Sequence, residues 1–542
     1  MIRKILLIII FIFLNLLGIF CTFASSLEDY YYIYKSKSYD ENIQNIDFSP
    51  DFKSYKFTIF SGGKEILNIN GNEINKYDNI NKFLFSPSGS GYSYIAMINY
   101  NYVLVKDGIE HNDYQQVYDI NYSIDGKSFS YIAEKNGKSI LVKDGVEIDK
   151  YDGISAFHYP KEIKESFIYI TMRNGKYILI KDGIESKEYN NIGEYIYSND
   201  FKNFAFIANK KGKLILVNNL KNEYGDYDNI YYPFYLGKDI YFFGEQKGKT
   251  YLVKNGVKSI DYDYLKKIRG AINGKSFMFI AVKDGKYVVN KNGKDILIVP
   301  FEVKNLELSS DGKSYVFSII IKGKQIVIKD GKILGIYNDR TLFNFNYGLT
   351  NKEYSFIVLK GNKYILVKDG LEIDKYDNVN SFRYSPDKKS YSYVAERNGK
   401  FFVVKDGVEG KEYDSINTFD LGILYSKNGN SYSYLAEKNG KSILVKDGVE
   451  IDKYDGIGNF FYLGDSFIYF IGIYYNGSFV VDGIESESYK CIDITPFHTM
   501  YYNYEMYSDY YINYSEELDK GNFIGFISCY EGKNQLIRYI KK

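Results

Sequence analysis

Few residues in this chain are placed to do chemistry. Its three histidines, His111, His158 and His498, have no second His or Cys three or four positions away, so none starts a zinc site or a catalytic pair. Gly464-Asp465-Ser466-Phe467 offers a serine after a Gly-Asp pair. It stands where Gly126-Lys127-Ser128-Phe129 stands in an earlier, similar part of the chain, so a turn accounts for it. Gly-Lys-Ser recurs at Gly126, Gly137, Gly274, Gly312 and Gly440 without the earlier glycine that a phosphate loop needs. The many Asp-Gly pairs lack the spacing of a calcium loop and read as hairpin turns. Two features remain. Tyr501, Tyr502, Tyr504 and Tyr507 lie in a Tyr-dense stretch, residues 494–515, whose amphipathic rings suit peptide or glycan contact at low entropy cost. Cys491 and Cys529 permit one intramolecular disulfide, or else two separately buried thiols. No residue is assigned as catalytic or metal-ligating, and no cofactor is expected.

The elements that hold these residues are repeats. AEKNGKSILVKDGVEIDKYDGI occurs letter for letter at Ala133–Ile154 and again at Ala436–Ile457. Aligning the chain on Lys-Asp-Gly gives twelve copies, centred from Gly71 to Gly483, and a partial thirteenth from Gly521. A period near 37 residues means a solenoid, a propeller or an array. In the third copy Asn136-Gly137 and Asp144-Gly145 are two-residue hairpin signals that separate an aromatic strand, an apolar strand and a charged strand. With a short strand before Ser123, each copy predicts a four-stranded antiparallel meander. The fold class expected is therefore all-β, tandem β-propellers of about 13 four-stranded repeats. Thirteen blades divide most simply into about seven (25–302) and about six (303–542), the latter carrying the insertion 494–515. Tyr30 to Ile46 has the pattern of the last strand of a copy and predicts a strand that completes a blade built elsewhere in the chain.

Phe48-Ser49-Pro50-Asp51, Ser309-Ser310-Asp311-Gly312-Lys313 and Tyr384-Ser385-Pro386-Asp387 resemble the S-P-D-G-K turn of WD-like repeats in TolB-type propellers. The Asn-Gly-Lys and Lys-Tyr-Asp punctuation is also similar to that of WG-repeat proteins, although the chain has no Trp. The resemblance covers about residues 28 to 542 and implies a scaffold role in a bacterial-type cell envelope.

Compartment and charge narrow the function classes. Arg3 and Lys4 precede an apolar run from Ile5 to Phe20, and Thr22-Phe23-Ala24 fits a cleavage site, so residues 1–24 predict a signal peptide. A lipid anchor at Cys21 is opposed by the bulky Phe20, and an uncleaved anchor is the other alternative. Removing two basic residues with that segment leaves 67 basic against 68 acidic, a balance that gives no electrostatic case for nucleic acid. The expectation is an exported, periplasmic or extracellular, non-enzymatic scaffold that binds protein, peptide or glycan partners. The alternative is an envelope hydrolase or lyase with an acidic or Tyr site in a propeller channel.

Overall fold

The computed structural model describes residues 31–541 apart from 40–42, 52, 112–113, 161–162, 165, 272–273, 339–344, 419–421, 453–456, 474–475, 486–489, 494–522 and 531–532. Among the described residues the regular structure is all strand. The strands form thirteen sheets. Twelve have four strands, and the eleventh has five because its first strand is split into Ser415–Ile416 and Leu424–Tyr425. Within each of the first ten sheets and the twelfth, neighbours in sequence are neighbours in the sheet, the meander expected of a propeller blade.

The third sheet shows why these residues fold this way. Its strands are Gln116–Tyr122, Phe129–Lys135, Lys138–Lys143 and Val146–Ile148. Asn136 and Gly137 have φ of 54° and 71°, and Asp144 and Gly145 have 50° and 80°. Both turns therefore place two residues in the left-handed region, which matches the twist of a hairpin and selects Asn-Gly and Asp-Gly. Side chains alternate across the sheet, and both faces are covered. Phe129, Tyr131, Ala133, Ile140 and Val142 pack toward the preceding sheet, while Ile132 and Leu141 pack toward the following one. Covering both faces is what makes Ile140-Leu141-Val142 an unbroken apolar run.

Internal packing divides the chain into two compact units. One spans Gln44–Glu450; the other joins the segment ending at Ile43 to the one beginning at Ile451. In the first unit the hydrophobic clusters each join one sheet to the next, from the first sheet through the eleventh. The cluster of Met278, Ile280 and Val289 with Val303, Leu306 and Phe317 carries this core across residue 302. The second unit holds the twelfth and thirteenth sheets. In the thirteenth, Lys490–Asp493, Phe523–Tyr530 and Lys533–Lys541 are completed by Tyr31–Lys35, paired antiparallel from Tyr31 against Lys541 to Lys35 against Ile537. The N-terminal strand thus finishes a blade otherwise made from the C-terminal end of the chain.

Candidate functional site

The polar residues that recur in every copy are occupied in holding the sheets. In twelve sheets the Asp or Asn of the last hairpin accepts the backbone N–H at the start of the second strand, fifteen residues earlier. Asp144 takes the Phe129 N–H at 2.8 Å, and Lys143 pairs with the same carboxylate while lying 5.3 Å from the Phe167 ring of the next sheet. Burial alone would raise the Asp144 pKa. The hydrogen bonds from Lys143 and Phe129 more than offset it, and the carboxyl sits below its usual range. These Asp-Gly pairs are backbone latches.

A second recurring group ties sheets to their neighbours at several junctions. The buried Tyr376 hydroxyl donates to Glu409 at 2.9 Å, and Arg397 and Lys375 reach the same carboxylate at 2.7 and 2.9 Å. Arg397 first, then Lys375, hold the Glu409 carboxyl down at about 2. Burial, with Glu409 adding to it, pushes the Tyr376 hydroxyl up to about 12. Tyr151, Glu185, Arg173 and Lys150 repeat the arrangement between the third and fourth sheets. The turn between first and second strands is closed by a third device. Ser123 Oγ donates to Asp125 at 2.8 Å and accepts the Ser128 N–H at 2.9 Å.

What these networks leave over is the first strand. In sheets one to eight, ten and twelve its pairing with the second strand shifts register at a β-bulge. The residues at or beside the bulge change character from copy to copy: Tyr118 and Asp119 in the third sheet, Ser155 and Ala156 in the fourth, Tyr231 and Tyr232 in the sixth, Lys266 and Lys267 in the seventh. The duplicated segment stops at Ile154 and Ile457, immediately before this position, where one copy has Ser155-Ala156 and the other Gly458-Asn459. Tyr231 and Tyr232 are 40% and 60% exposed. Tyr232 also holds a φ of 48°. Asp119 and Asn305 sit in the same region at 57° and 55°, where Asp and Asn are at ease; a bulky ring there costs about 1–2 kcal/mol.

Charge gathers on the bulges of the seventh and eighth sheets. Glu302 pairs with Lys266 at 2.9 Å and Lys304 at 3.2 Å, and Glu307 pairs with Lys267 and with Arg269, both at 3.2 Å. Four cations against two carboxylates leave 4 − 2 = +2 on this face. Tyr264, 51% exposed, precedes Lys266 on the same strand.

The residues singled out from the sequence fall differently. Tyr501, Tyr502, Tyr504 and Tyr507 lie outside the described residues, as do residues 1–24 and His498. Cys491 and Cys529 lie on adjacent strands of the thirteenth sheet, where Lys490 is the register partner of Cys529. His158 stacks on Tyr195 at 4.9 Å, and burial draws its pKa down. Gly464 and Asp465 form the turn between the first two strands of the twelfth sheet, and Ser466 begins the buried second strand, as the repeat predicts. The bulge row was missed. Its signal is present all the same: after each Tyr-Asp-x-Ile the next two residues stop repeating.

Fold and surface together define a repeat protein of the β-propeller kind. No family model matches the chain, and no curated protein matches it. Among solved structures it is similar to a eukaryotic initiation factor at 11% identity, covering 66% of this chain and 98% of that one with a TM-score of 0.28. It is similar to the Dos1 propeller at 11% identity, covering 57% and 96%, with a TM-score of 0.25. A third likeness, at 13% identity, is to KlHsv2 with its loop 6CD replaced by a Gly-Ser linker, covering 44% and 88% with a TM-score of 0.23.

Proposed function

We propose that this protein is an exported, non-enzymatic scaffold that binds macromolecular partners, protein, peptide or glycan, through the row of first-strand bulges. One observation carries the reading. The recurring Asp, Tyr, Glu and Lys side chains are spent on holding sheets together, while the exposed bulge residues differ from copy to copy. In repeat proteins a constant frame with varied exposed positions is how an extended surface acquires specificity.

The Ser-x-Asp turn agrees with the TolB-type resemblance, and we keep that affinity, the WG-like punctuation and the envelope location as parts of the proposal. The Tyr-rich segment with Tyr501, Tyr502, Tyr504 and Tyr507 is a second proposed contact. The division into rings at 25–302 and 303–542 also stays a proposal; rings so divided would share the packed junction of Val303 on Met278.

The test is capture from an envelope extract by residues 25–542, by the same chain without 494–515, and by a chain with Tyr118→Ser, Asp119→Asn, Tyr231→Ser and Tyr232→Asn. Loss of the captured partner in the last variant at unchanged thermal stability is the expected result. Equal capture by it and by the wild type refutes the bulge row.

A further inference from the structure

We infer that the bulges of the sixth to eighth sheets bind an acidic glycan, one bearing uronic-type carboxylates; this rests on the bulge row being the binding surface. Three observations converge. Tyr231, Tyr232 and Tyr264 present rings to solvent on consecutive first strands, and an exposed flat ring is the surface on which the face of a sugar stacks. Lys266, Lys267, Arg269 and Lys304 exceed Glu302, Glu307 and the Glu245 that accepts from the Tyr231 hydroxyl at 2.8 Å by 4 − 3 = 1 charge, which matches the sign of a ligand with carboxylates spaced along a chain. Tyr232 is held in a backbone region that bulky residues seldom occupy, and such strain gathers where a side chain must be presented.

Both glutamates are shared between cations. Each carboxylate bridges two cations and competes with a ligand for them, so the cations are only partly neutralised. An acidic polypeptide would use the cations but has no need of three exposed phenol faces. That difference makes the glycan the better fit.

Binding of oligogalacturonate, of a neutral galactan oligosaccharide and of poly-L-glutamate is measured by titration calorimetry at low and moderate salt. The mature chain is expected to bind oligogalacturonate about tenfold or more tighter than either comparator, with affinity falling as salt rises. Lys266→Gln with Lys304→Gln, and separately Tyr231→Ser with Tyr232→Asn, should each weaken it about tenfold. Glu302→Gln with Glu307→Gln should strengthen it several-fold, because the net charge goes from +1 to +3; a merely structural role for the two glutamates predicts no gain. Equal affinity for the neutral oligosaccharide or for poly-L-glutamate overturns the inference, and so does a glutamate double variant that binds no tighter. If oligogalacturonate fails while bulge substitution still abolishes capture from extract, the ligand assignment falls and the binding surface stands. If both fail, both fall.

Discussion

Replacing Asp144 with Ala should destabilise the third sheet, and replacing it with Asn should do so much less. Asp144 accepts the Phe129 N–H at 2.8 Å and turns the last hairpin at a φ of 50°. A hydrogen bond to a charged acceptor contributes about 1.5–3 kcal/mol, and Ala in the left-handed region costs about 1–2 kcal/mol. The expected loss for Asp144→Ala is their sum, about 2.5–5 kcal/mol. Asn keeps the acceptor and tolerates the backbone, as Asn70, Asn219, Asn255 and Asn292 do at the equivalent position. It gives up the pair with Lys143 and the charge on the acceptor, each a contribution of about 1 kcal/mol at most. The assay is native-state hydrogen exchange at the Phe129 amide, beside urea unfolding of the whole chain, since a repeat array need not unfold in one step. An Ala variant within about 0.5 kcal/mol of the wild type, or an Asn variant as unstable as the Ala one, refutes the latch.

Acid should weaken the links between sheets. Glu409 has its pKa lowered from 4.5 to about 2 on folding, so its contribution is complete above pH 4.5 and is lost as pH falls toward 2. Glu147, Glu185 and Glu223 are lowered too, so the urea midpoint should hold from pH 7 to 5 and fall below 4.5, less steeply in Glu409→Gln; a flat profile down to pH 3 contradicts this. Deleting Tyr31–Lys35 should strip exchange protection from the amides of Ile537–Lys541 that face it, and leave those of Gln44–Glu450 unchanged; persistent protection of all amides in Ile537–Lys541 contradicts the pairing. If Cys491 and Cys529 are bridged, non-reduced peptides from protein made in an oxidising compartment should be cross-linked, with a stabilisation of about 2–4 kcal/mol; free thiols at both positions rule the bridge out.

The frame was legible in the sequence because its signals are local. Asn136-Gly137 and Asp144-Gly145 dictate their hairpins through backbone sterics, and Ile140-Leu141-Val142 reports two buried faces. Even the distant pairing of Tyr31–Lys35 could be read, since that strand carries the pattern of the fourth strand of a copy. The roles of the recurring polar residues could not. The contact between Asp144 and Phe129 spans fifteen residues, and Tyr376 meets Glu409 only once one sheet stacks on the next. The bulge row stayed hidden for a related reason. A bulge is a mismatch in pairing, and a single strand such as Gln116–Tyr122 does not announce where its register will slip.

A hydrogen-exchange footprint shows whether partners meet the first-strand bulges. With a captured partner bound, slowed exchange is expected in the first strands, at 116–122, 229–236, 264–270 and 302–308, and not in the fourth strands such as 146–148 and 371–373. Protection confined to the fourth strands or to the hairpins between second and third strands, with the bulges exchanging as in the free protein, would contradict the account.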